Sequence, residues 1–134
     1  MADTDEQFLA DFQQLRLSPE QFTHHAHVRV AWLHLQRYEL DEAIAHTGRG
    51  IEALATHFGT AGKFHWTITA ALLHLMHSHG AADRALSWDD FRARVPDLLG
   101  NARALLARHY SDALLASDAA RQSIVAPDLA PLPA

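Results

Sequence analysis

Apolar residues in this chain recur three and four positions apart, and no stretch shows convincing one-by-one alternation. That spacing lines up side chains on one face of an α-helix and leaves no pattern from which a half-buried strand could form. The series Ile44, Thr47, Ile51, Leu54 and Phe58 is one example, and Phe8, Phe12 and Leu15 are another. The chain is therefore expected to be all-α.

Start and stop signals divide it. Thr4 is a suitable N-cap, and Asp5 and Glu6 suit the positive end of a first helix. In "LSPEQF", Ser18 can cap, Pro19 fits the first helical position and Gln21 completes a capping box, so a second helix is expected from Pro19 to about Arg37. "YELDEAIAH" opens a third, which Gly48 and Gly50 weaken and Gly59 stops. A fourth begins at Phe64 or His65 and ends at about His79, before Gly80. Short helices follow, one after Ser87, one over about Pro96 to Arg108 and one from Ser117. Pro127, Pro131 and Pro133 make the end an extended tail, which either packs across the domain through Leu129 and Leu132 or frays. The expected architecture is one domain over residues 1–134. It is an up-down bundle of four main helices, with short C-terminal helices and an extended Pro-rich tail.

The 134 residues contain no cysteine, so a hydrophobic fraction of 49% must hold the fold without disulfides. Thiolate metal sites and cysteine nucleophiles are excluded with it. The formal net charge of −5 and the scattered basic residues argue against nucleic acid and against an anionic membrane surface. The acidic start "MADTDEQF" lacks an apolar signal region, and no apolar run approaches the ~20 residues of a membrane span. The expectation is a cytoplasmic protein. Lys63 is the only lysine and lies two residues before His65.

Histidine is the over-represented chemical group, with 11 copies. "FTHHAHVRVAWLHL" alone carries His24, His25, His27 and His34. At about 100° per residue, Val28, Ala31 and Leu35 share a stripe with His24, and His27 borders it. His25 falls nearer Arg29 and Trp32, and His34 is marginal. On the fourth helix His65 shares a face with Thr69, Leu72 and Met76, whereas His74 and His77 point outward. His46 and His57 miss the stripe of the third helix. His24, His27 and His65 thus form the sharpest constellation, because the second and fourth helices, if parallel as in an up-down bundle, would bring them to the same end. Three imidazoles suit a divalent ion such as Fe, Zn, Cu or Ni, with a position open for water, oxygen or substrate. Glu20, His109, Tyr110 and Asp112 are further candidates for ligand or base, and Arg29 and Arg108 for an anionic substrate. Each histidine could equally be a structural residue bonded to a carbonyl or carboxylate. Trp32, Trp66 and Trp88 read as core anchors.

Several motifs are absent. There is no HExxH, no paired ExxH, no CxxCH, no Gly-rich phosphate loop and no GxSxG.

The segments "FTHHAHVRVAW", "GKFHWTIT", "LLARHYS" and "VAPDLAPLP" resemble a small family of uncharacterised bacterial all-α proteins over most of the chain from Phe22 onward. The resemblance implies histidine at His24, His27 and His65, arginine at Arg29, and an ordered tail at Pro127 and Asp128. Where that family often has an acidic residue after the third histidine, this chain has Trp66, which removes a base at that position. The family supplies no activity.

The leading expectation is a small helical metalloenzyme. His24, His27 and His65 would hold one divalent ion that activates water or oxygen on a small organic substrate, which Lys63, Arg29 or Tyr110 would orient. The alternatives are a metal-free small-molecule binding module and a non-catalytic interaction protein, for instance a homodimer.

Overall fold

The computed structural model describes residues 4–133 and is all-helical, with no strand among them. The first four helices are α1 (Asp5–Gln13), α2 (His24–Arg37), α3 (Leu40–His57) and α4 (Trp66–Ser78), with a 3₁₀ turn, Ala61–Lys63, ahead of α4. Five short ones follow: α5 (Trp88–Arg94), α6 (Asp97–Gly100), α7 (Ala102–Leu106), α8 (Asp112–Leu115) and α9 (Asp118–Gln122). α3 packs against both α2 and α4, α1 rests on α2 and α3, and α7 and α9 pack on α4. No helix among the described residues is long and apolar enough to cross a membrane.

Helix ends follow local chemistry. Thr4, Thr23, Ser87, Ser111 and Ser117 each accept a hydrogen bond from a backbone N–H in the first turn of their helix. Gly59 and Gly80 close α3 and α4 with φ of 74° and 95°, the left-handed conformation that a Cβ disfavours. Leu15 does the same for α1 at φ 60°, with Arg16 N–H donating to Asp11 O (2.8 Å) and Leu15 N–H to Phe12 O (3.3 Å). Leu15 therefore lies beyond the first helix and not on its stripe.

Two boundaries differ from expectation. The capping box at Ser18 forms, with Ser18 N–H donating to Gln21 Oε1 (2.8 Å) and Gln21 N–H to Ser18 Oγ (3.2 Å), but it closes only an isolated turn. Thr23 is extended (φ −75°, ψ 173°), and α2 starts afresh at His24. This break lets Phe22 stack on Phe12 at 5.6 Å and meet the His27 ring edge-on at 4.1 Å. The helix expected over Pro96–Arg108 is split at Asn101 (φ −154°, ψ 55°) into α6 and α7. The α8 turn was not expected.

The glycines of α3 have a packing reason. A Cβ on Gly48 would lie 2.0 Å from the Trp66 ring, and one on Gly50 would lie 2.4 Å from the Phe12 ring. Each lets an aromatic ring sit on the helix backbone. Intrinsic propensity favours Gly48→Ala by about 1 kcal/mol. Overpacking against Trp66 should reverse this and destabilise the protein by about 1–3 kcal/mol, seen as a lower urea midpoint. The loss should disappear when Trp66 is also changed to leucine.

Candidate functional site

A cavity of about 750 Å³ lies between α2, α3 and α4 on one side and α7 and α8 on the other. Its walls are mainly apolar, with Val28, Ile51, Ile68, Leu72, Met76 and Leu106 among them. His24, His27 and His65 all line it, and so does Lys63. The convergence of these three histidines and the lysine on one space is the part of the sequence expectation that the fold realises.

The ring nitrogens then separate their roles. His65 is the N-cap of α4: its Nδ1 accepts from Ile68 N–H (3.1 Å). Its Nε2 must carry the proton, because it lies 2.7 Å from the Leu115 carbonyl, which can only accept. His24 sits at the first position of α2 and bonds the Leu98 carbonyl through Nε2 at 2.7 Å. The residue as a whole is exposed at the start of α2 and not mid-helix as expected, while its side chain still reaches the cavity lining. The His27 ring has no hydrogen-bond partner among the described residues and meets the Phe22 ring edge-on. Burial, and secondarily the nearby His24, pull its pKa down to about 4, so it is a neutral imidazole at pH 7.

A metal needs a free lone pair from each imidazole. In this arrangement His65 has none to give, and His24 has only Nδ1. Among the described residues no group of three His, Asp or Glu side chains is placed to hold a metal ion. The three-nitrogen ligand set expected from the sequence is therefore not assembled, because the backbone has already claimed the nitrogens of His65.

The other two expected catalytic residues lie outside the cavity lining. Arg29 pairs with Asp5 at 2.9 Å and covers the Phe8 ring at 4.2 Å, which fastens α1 to α2. Tyr110 is 2% exposed, and its hydroxyl donates to Val125 O at 3.2 Å. Burial, then the Asp128 charge, hold that phenol above its usual pKa, so it remains a donor. Tyr110 thereby anchors the tail, which follows the surface. The Asp128 carboxylate accepts from Ser111 N–H (2.8 Å) and Ser111 Oγ (2.6 Å), and Leu129 N–H donates to His109 O (3.0 Å). Of the two apolar tail residues only Leu132 packs, since Leu129 is 58% exposed. Glu20 is exposed and His109 bonds Ala130 O, so neither lines the cavity. Asp112 does.

Arg103, Thr47 and Thr69 also line the cavity, and sequence reading missed them as site residues. No periodicity or motif marks Arg103, whose helix is only five residues long. Thr47 shares a 2.7 Å hydrogen bond with His34 Nδ1. His34, marginal by helical arithmetic, is 1% exposed. His74 and His77, expected outside, are half-buried because α4 is covered on nearly every side.

Comparisons of the chain with protein-family models, with curated proteins and with solved structures give no match.

His34 sets a pH dependence. Burial, then His46 and Arg37, lower its pKa to about 4 from 6.5 in the unfolded chain. Between those values the unfolded state binds the extra proton, so stability falls with falling pH. The contribution is complete above pH 6.5 and is lost progressively towards pH 4; it is on the order of 3 kcal/mol. His27 acts in the same direction over the same window. Urea midpoints should drop between pH 7 and pH 4.5, and His34→Gln should flatten that slope while lowering stability at pH 7.

Proposed function

We propose that this protein is a binding module for a small organic molecule that enters the cavity between the α2–α4 helices and the α7–α8 turns. The observation that carries this reading is one cavity of about 750 Å³ whose walls are apolar and whose polar groups are few. Ligand sites of ~300–1,000 Å³ with that composition hold molecules of drug size and orient them through a handful of polar groups. Neutral His27 supplies an unpartnered donor and acceptor inside the lining, and Thr69 adds a hydroxyl whose proton goes to His65 O at 2.9 Å. In this reading His24 and His65 are fasteners. They hold the carbonyls of Leu98 and Leu115, and with them the α6–α8 side of the cavity.

Ala31 is 3% exposed and faces the cavity, so added volume there has space to occupy. Ala31→Leu should raise thermal stability by roughly 0.5–2 kcal/mol, as cavity-filling changes do. It should also abolish the thermal shift given by small apolar ligands. A variant that binds them as well as wild type would place binding elsewhere. Treatment with EDTA or 1,10-phenanthroline should leave the melting temperature unchanged. One tightly held metal per chain, lost on His27→Ala, would restore the three-histidine metal site as the better reading.

A further inference from the structure

The charged residues lining the cavity are Lys63, Arg103 and Asp112. All three are exposed and therefore belong to its mouth. Lys63 comes from the 3₁₀ turn before α4, and Arg103 from α7. Neither cation has an ion-pair or hydrogen-bond partner for its side chain among the described residues, unlike Arg16, Arg29, Arg92 and Arg121, which are paired. On a chain of net charge −5, two unpaired cations at the rim of one apolar cavity form a local field opposite in sign to the rest of the molecule. Low-dielectric walls focus such a field at the opening. Asp112 on the same rim leaves one positive charge in excess, which matches one negative charge better than two.

Resting on the cavity as the binding site, we infer that its ligand is an amphipathic monoanion. It would be a carboxylate whose head meets Lys63 and Arg103 at the mouth, while its apolar body lies along Ile68, Leu72 and Leu106. Lys63 offers a mobile point charge and Arg103 a planar fork that can take both carboxylate oxygens. The interior holds no carboxylate, lysine or arginine: His27 is neutral, and the remaining wall is mainly apolar, with the hydroxyls of Thr47 and Thr69. A dianion would meet Asp112 with too little compensating charge. An amine would meet two cations.

Octanoate, 1-octanol and octylamine share one apolar body and differ in the charge of the head. Their affinities for wild type, Lys63→Gln, Arg103→Gln and Asp112→Asn can be measured by calorimetry at low salt, after circular dichroism confirms that each surface variant is folded. Octanoate should bind wild type about five-fold or more tighter than octanol, and both more tightly than octylamine, as expected for ion pairs at a partly exposed rim. Lys63→Gln and Arg103→Gln should each weaken octanoate about three- to five-fold and leave octanol unchanged. Asp112→Asn should strengthen octanoate, and added salt should erase its preference. Octanol binding as well as octanoate, with no response to Lys63 or Arg103, would overturn the carboxylate inference and leave the cavity reading intact. Preference for octylamine that is lost in Asp112→Asn would also overturn it, in favour of a cation. No binding of any probe to wild type would overturn both.

Discussion

A helix that is apolar on almost every side has to be covered on almost every side. α4 is such a helix, with Thr67, Ala70, Ala71, Leu73, Leu75 and Met76 all buried. α3, α2, α7 and α9 all pack against it. The fully buried Thr67 shows how tightly the last of these layers is fixed: its hydroxyl donates to Ser123 O (2.8 Å) and accepts from Val125 N–H (3.1 Å). The short C-terminal helices and the tail exist as ordered structure because α4 offers them apolar surface, and because buried polar groups there need partners. Helices of four or five residues have no stability of their own in water.

That dependence explains the work of the histidines. An isolated helical turn leaves carbonyls without partners at its C-terminal end. His24 supplies one for Leu98 in α6, and His65 supplies one for Leu115 in α8. Each histidine stands at the start of a long helix and reaches across to a short one. The short helices bridge the long ones and do not fill the space beneath them, so a cavity remains between the two layers. The groups that fasten this layer are then necessarily groups that line the cavity. Their presence there is a structural consequence before it is a chemical one, and it leaves His27 as the imidazole with unpartnered nitrogens.

Local signals were legible where the chemistry is local. Gly59 and Gly80 end helices because only their backbone turns left-handed without cost, and Ser87 and Ser117 begin them because their hydroxyls reach an N–H three residues on. The capping box at Ser18 was also legible and also forms. Yet it does not start α2, since the aromatic contacts of Phe22 with Phe12 and His27 favour a break at Thr23. Gly48 looked like a weakness in α3 because its partner, Trp66, is distant in sequence. The outward positions assigned to His74 and His77 assumed that α4 has an outside, which a helix covered on nearly every side lacks.

The sequence by itself determined that the chain is helical, where most of its helices stop, and that His24 and His27 lie close together at the start of one helix. Those outcomes rest on 3.6-residue periodicity and on bonds between near neighbours. Tertiary structure alone decided what the three histidines do. The decisive partners, Leu98 and Leu115, lie 74 and 50 residues away from His24 and His65, and a backbone carbonyl carries no mark in the sequence. Likewise Lys63 and Arg103 came to line one cavity, and Arg29 and Tyr110 became fasteners of α1 and the tail, only when packing had fixed which side chains share a surface.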